Sequence, residues 1–159
     1  MVVILMVQEL KKAFSAYYTK DETEINDSIF DMVDEICVKE IEPFASQMDK
    51  IGARIENGNV KLPEPMDKIY ATFAKNDILG LTVPEKYDGV GLSFALQHGV
   101  IERISRADAS AAIGTALQGA LIDYIDTYGT EELKEKYLPQ LAKGKRLGGK
   151  INDAVKGEN

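Results

Sequence analysis

The stretch Asp108-Ala-Ser-Ala-Ala-Ile-Gly-Thr-Ala-Leu-Gln-Gly-Ala-Leu-Ile-Asp-Tyr-Ile-Asp-Thr-Tyr128 decides the fold class. Ile113, Leu117, Leu121, Tyr124, Ile125 and Tyr128 return at three- and four-residue steps, which is the period of a helix face. The other faces carry Ala111, Ala112, Gly114, Thr115, Ala116, Gly119 and Ala120, and no charge falls between Asp108 and Asp123. A helix that is apolar or small on every side is a buried helix. The spacing therefore predicts a central helix that is buried. Small residues on such a helix either let neighbours approach closely or leave room for a ligand. Close packing is the simpler of the two readings.

Toward the C-terminus, Gly129 ends this helix and Thr130 caps the next. Glu131 and Glu132 then face the positive end of the new helix dipole. Leu133, Tyr137, Leu138 and Leu141 give its expected buried stripe, and Gly144 ends it. Residues 150–159 read as a polar tail.

Toward the N-terminus, a helix is expected from about Ser93, as N-cap, to Arg106, with Leu96, Val100, Ile101 and Ile104 inward. Before it, Asn76 to Gly91 carries Ile78, Leu79, Leu81 and Val83 without helical spacing, punctuated by Gly80, Pro84, Gly89 and Gly91. Such an apolar loop is expected to lie down on the core. Another helix opens near Glu64, with Met66, Ile69, Tyr70, Phe73 and Ala74 on one face. Gly52 to Pro65 is a loop with a possible turn at Asn57-Gly58 and a short extended piece at Val60 and Leu62. Ile25, Ile29, Val33, Ile36, Cys37, Ile41 and Phe44 form one stripe from about Glu22 to Ala45. Pro43 lacks an amide donor, so two consecutive helices meeting near Glu40–Pro43 are expected. Residues 1–20 read as an N-terminal extension and 21–149 as one domain. No strand series and no repeat is seen. The expected fold is all-α, a bundle of about six helices with short connections.

Composition sets the limits on function. The chain has 159 residues, 45% of them hydrophobic and 28% charged, with a net charge of -7. That describes a folded acidic domain and a poor binder of nucleic acid. One short basic cluster, Lys143, Lys145, Arg146 and Lys150, reads as a solvated tail, the alternative being a phosphate or CoA contact. The single cysteine, Cys37, fits a reducing, cytoplasmic setting and reads as buried filler. The single histidine, His98, reads as a surface or boundary residue. The opening apolar run of seven residues is too short to span a membrane, and Met6 is a candidate natural start. No other stretch is long enough to be transmembrane.

Side-chain chemistry alone gives no active site. Asp31, Asp34 and Glu35, and Glu131 with Glu132, read as solvated charge on exposed helix faces. One histidine supports no Ser-His or Cys-His pair and no metal site. Gly89-Val-Gly91 lacks the third glycine, the preceding strand and the later acidic residue of a dinucleotide fingerprint.

Three ordered stretches resemble the acyl-CoA dehydrogenase family. They are Glu40-Ile-Glu-Pro-Phe-Ala-Ser-Gln-Met-Asp49, Leu79-Gly-Leu-Thr-Val-Pro-Glu-Lys-Tyr-Asp-Gly-Val-Gly-Leu92, and the run from Ile101-Glu-Arg-Ile-Ser-Arg-Ala-Asp-Ala-Ser110 to Tyr128-Gly-Thr-Glu-Glu-Leu-Lys-Glu-Lys-Tyr-Leu-Pro-Gln-Leu-Ala-Lys-Gly144. The resemblance covers about Asp21 to Gly149. Asp88 stands where the family usually has Gly, and Leu133 where it often has Gln. From Lys150 onward the chain does not resemble the start of the family's β-domain.

The resemblance implies the family's N-terminal helical domain. It implies oxidation of an acyl-CoA thioester, in which the α-proton goes to a glutamate base and the β-hydride to FAD. Flavin and base would belong to the β-domain and a C-terminal helical domain, so the chain alone is expected to bind no FAD and to be inactive. Its implied share is one wall of the acyl pocket, at Ala112, Ile113, Ala116 and Ala120. Implied partners are acyl-CoA and either further copies of the chain or a chain supplying the other domains. The alternative is a non-catalytic helical binding or assembly module.

Overall fold

In the computed structural model residues 2–144 are described, with side chains from Val7 onward. Seven α-helices account for most of these residues: α1 (Val2–Ser15), α2 (Lys20–Ile36), α3 (Glu42–Ile51), α4 (Glu64–Lys75), α5 (Phe94–Ala107), α6 (Ala109–Tyr128) and α7 (Glu131–Ala142). A five-residue π-helical segment, Cys37–Ile41, joins α2 to α3 without a break. With the π segment, α2 and α3 form one rod. The helices α2 to α7 are the bundle of six expected from the periodicity, and α1, in the stretch read as an extension, adds a seventh among the described residues.

The ends of the helices follow from local chemistry. Thr19 caps α2 in a reciprocal box: its hydroxyl accepts from the Glu22 amide, and the Glu22 carboxylate accepts from the Thr19 amide at 2.8 Å. Two orphan donors are satisfied at once. Ser93, Asp108 and Thr130 cap α5, α6 and α7 through their side-chain oxygens. Pro43 does not break the rod. The Glu42 amide reaches back five residues to the Cys37 carbonyl. This wider turn admits the ring near the start of α3, where a missing donor costs little.

The one addition to an all-helical layout is a small hairpin, β1 (Arg54–Glu56) and β2 (Asn59–Lys61), paired antiparallel with Ile55 opposite Val60. Its turn is Asn57-Gly58, with φ of 52° and 78°. Positive φ at both central residues is the mirror-image turn that matches strand twist, and Asn-Gly is its favoured pair.

The core is continuous from α1 to α6. Phe30, Val33, Cys37, Ile41, Ile69, Phe73, Val100 and Ile104 are all buried in one cluster. α1, within the stretch read as an extension, packs on α2: Val7 is buried, Phe14 meets Phe30 edge-on at 5.3 Å, and Lys11 pairs with Asp31 at 2.6 Å. The loop after α4 lies on the core as expected, with Ile78, Leu79, Leu81 and Val83 at most 2% exposed. Short 3-10 turns at Ile78–Gly80 and Glu85–Tyr87 supply its irregular spacing.

Three expectations are corrected. The helix α6 is not buried all round: Ile113, Leu117, Tyr124 and Tyr128 are 59–75% exposed and Leu121 and Ile125 are partly buried, whereas Ala111, Ala112, Thr115, Gln118, Gly119 and Ile122 are buried. Leu133 is 44% exposed and does not join the buried stripe of α7. Ile25 and Phe44, at the ends of the long N-terminal stripe, are also exposed. Lys145, Arg146 and Lys150 lie outside the described residues. Lys143, also read as solvated, lies 3.3 Å from Asp77 and remains about half exposed.

Candidate functional site

α6 is the element to which the sequence assigned a site. Its inner, small face is explained by contacts. Tyr70 of α4 donates its hydroxyl to the Ala111 carbonyl at 3.3 Å, and a Cβ at Gly114 would run into that hydroxyl. A Cβ at Gly119 would run into the amide of Gln97 on α5. The Gln118 amide donates to the Leu141 carbonyl at 2.9 Å and so fastens α7. Ala111, Gly114, Thr115 and Gly119 are therefore small because neighbouring elements lie against them, the packing reading.

The four proposed pocket residues divide between the two sides. Ala112 is 2% exposed and belongs to the core. Ile113 is 60% exposed, Ala116 is half-buried and Ala120 is exposed. At about 100° per residue these last three share one face with Leu117 and Tyr124. The result is a shallow apolar strip in which large side chains flank the Cβ atoms of Ala116 and Ala120. Tyr124 and Tyr128 lean together at its C-terminal end, with ring centroids 5.3 Å apart.

The amides around the glycine pair before α5 are taken up within the loop. The amides of Asp88, Val90, Gly91 and Leu92 donate to Glu85, Gly80, Val83 and Leu81 at 3.0, 3.1, 2.8 and 2.8 Å, and that of Gly89 reaches Pro84 at 3.4 Å. A pyrophosphate needs free amides or cations, so this glycine pair does not fit the flavin's phosphates. Its loop is fastened instead to α7. Tyr87 donates to Glu131 at 3.0 Å, and that bond, with Lys86 nearby, holds the Glu131 carboxyl below the usual carboxylate range.

Two further polar features bear on chemistry. Cys37 is fully buried, and desolvation pushes its thiol up to about 12. A thiol so shielded is inert. No group of three or more His, Cys, Asp or Glu among the described residues is arranged to hold a metal ion. His98 is exposed, as expected, with its Nδ1 2.9 Å from the Phe94 carbonyl.

Arg103 escaped the sequence reading. It is 1% exposed, and its Nε and Nη2 donate to Asp34 at 2.5 Å and Glu42 at 2.9 Å. Asp34, read as solvated charge, is thus the partner of a buried guanidinium. The signal lay in the spacing: Leu96, Val100, Arg103 and Ala107 fall on one helical face, so an arginine on that stripe had to point inward.

No helix among the described residues is long and apolar enough to cross a membrane. Comparison with known proteins gives one consistent answer. The profile of the acyl-CoA dehydrogenase N-terminal domain matches residues 23–145. The mitochondrial isovaleryl-CoA dehydrogenase of Solanum tuberosum is 31% identical over 137 residues, covering 86% of this chain and 31% of the relative. The 3-methylmercaptopropionyl-CoA dehydrogenase of Ruegeria pomeroyi is 30% identical over 135 residues, covering 84% and 23%. The short/branched chain specific acyl-CoA dehydrogenase of Bos taurus is 32% identical over 111 residues, covering 69% and 23%. The chain spans less than a third of the length of each of these relatives.

Proposed function

The chain belongs to the acyl-CoA dehydrogenase family through its N-terminal domain, and on that premise we propose that it supplies one wall of the acyl pocket of an FAD-dependent enzyme oxidising acyl-CoA thioesters. The observation that carries this reading is the outward face of α6. It presents Ile113, Ala116 and Ala120 together, with Leu117 beside them and Ala112 packed behind. A fatty or branched acyl chain needs such a surface: apolar, free of charge, and recessed where the side chains are small. The strip is one wall only, so the opposing wall must come from residues outside it.

Flavin and base chemistry are assigned to the family's other domains, as the resemblance implies, and the amides of Asp88 to Leu92, bonded within the glycine loop, support that for the flavin's phosphates. The domain proper is taken as 21–149, and the buried thiol of Cys37 agrees with a reducing, cytoplasmic setting. The isolated 159-residue chain, incubated with FAD and desalted, should be colourless and should not oxidise acyl-CoA. Retained flavin absorbance would overturn the assignment of the cofactor to other domains. The wall itself is tested by grafting residues 23–145 in place of the matching domain of a relative. Ala120→Trp in that chimera should raise KM for the longer acyl chains and leave flavin content unchanged. An unchanged KM in a flavin-loaded chimera would remove α6 from the pocket.

A second reading, a binding or assembly module without catalysis, draws on the same stripe. Exposed apolar residues in series favour association. The chimera separates the two, since a module of that kind gives no turnover in a flavin-loaded assembly.

A further inference from the structure

Asp34 and Glu42 are eight residues apart, on either side of the π segment, yet both reach Arg103. In an uninterrupted α-helix, eight residues turn the chain by two revolutions plus about 80°. Two carboxylates so placed would diverge. A turn closed by a bond to the fifth residue back contains one residue more than an α turn. With that extra residue the effective separation is seven, and the offset falls to about 20°. The π segment thus places Asp34 and Glu42 on one line facing α5.

Arg103 engages the rod at a third point as well. Its carbonyl lies 3.9 Å from Sγ of Cys37, the first residue of the π segment. Residue 103 of α5 therefore touches the rod before, at the start of, and after its wide turn. We propose that Arg103 and the π segment form a register lock, in which the forked guanidinium holds α3 one residue out of α-helical phase with α2. A slip of one residue would rotate α3 by about 100°. It would swing the buried Met48 out of the core and re-aim Phe44 and the hairpin that follows α3. The pairing adds a tertiary preference for this conformation of the rod to the local one that Pro43 supplies.

Two causes of the wide turn can be separated experimentally. Pro43 favours it locally, and Arg103 favours it through tertiary contact. Amide hydrogen exchange in residues 38–46 reads the segment, with α6 amides as an internal reference. In Glu42→Gln, which keeps shape and one acceptor oxygen but removes the negative charge from one arm of the fork, exchange there should rise by about tenfold while α6 is unchanged. In Pro43→Ala the same amides should keep their protection. Arg103→Met should loosen the segment at least as much as Glu42→Gln. The lock is overturned if Pro43→Ala loosens the segment as much as Glu42→Gln does, or if Glu42→Gln leaves it protected. It is equally overturned if α6 amides accelerate in step, because the pair then only adds global stability.

Discussion

Cys37 shows what burial does to a single side chain. Protonated thiol is neutral, and a dry site favours the neutral form, which raises its pKa to about 12. The folded value lies above the unfolded one of about 8.5. The stabilisation is therefore complete below the unfolded value and lost as pH climbs toward the folded one. Chain stability should be flat near neutrality and fall between those two values more steeply than in Cys37→Ala, as read from denaturant midpoints against pH. Alkylation of the native protein at mild pH should proceed only at the rate of unfolding. Rapid labelling under native conditions would mean the site opens locally. Gly80 makes a second residue-scale case. A Cβ there would lie 2.9 Å from the Cα and carbonyl oxygen of Ala142, both backbone atoms that cannot swing aside. Gly80→Ala should push α7 off the loop and cost about 1–3 kcal/mol. A thermal midpoint equal to the parent chain's would show that α7 shifts freely.

Among the elements, the hairpin is the one that stands apart from the core. All six strand residues are exposed, Ile55 and Val60 by 80% and 70%. A two-stranded hairpin is marginal in water without a covered face, so its opening is uncoupled from global unfolding. Gly58→Ala places a side chain at φ 78° and should destabilise the hairpin locally by about 1–2 kcal/mol. The amides of 54–61 should lose protection while the global midpoint hardly moves. A large fall in that midpoint would reveal that the hairpin is coupled to α3 and α4. Elements also show where the sequence was readable. Caps, the Asn-Gly turn and the buried loop at Ile78–Val83 follow from local chemistry, and local chemistry is written in neighbouring residues. The orientation of α6 was not readable. Its bulky stripe and its small stripe were both free of charge, so hydropathy could not choose between them. The choice came from Tyr70 against Gly114 and Gln97 against Gly119, pairs 44 and 22 residues apart in the chain. Arg103 was missed for a related reason: an arginine is taken as exposed until its carboxylate partners, on another element, are known.

For the whole molecule, the turned-out stripe has a thermodynamic consequence. Ile113, Leu117, Tyr124 and Tyr128 stay in water in the described structure, although burying one such side chain is worth roughly 1.5–3 kcal/mol. The acyl-pocket reading and the assembly reading both require a cover for this face, and they differ in how much of it is shared. In the acyl-pocket reading the acyl chain would take the middle of α6, around Ala116 and Ala120, and leave the Tyr124–Tyr128 pair for protein contact. Without that cover the 159-residue chain should associate with itself, and sedimentation should show a mass that rises with concentration. Leu117→Lys with Tyr124→Lys would put two charges into the contact and weaken association by about a hundredfold or more, since each tenfold step is about 1.4 kcal/mol. Neither residue supports the core, so thermal stability of the monomer should hold. Ala120→Lys, a charge on the same face between large side chains, should act in the same direction. Association that survives all three substitutions would move the contact off α6, to the exposed hairpin or to Tyr17, and with it the reason for reading α6 as the face that the other domains cover.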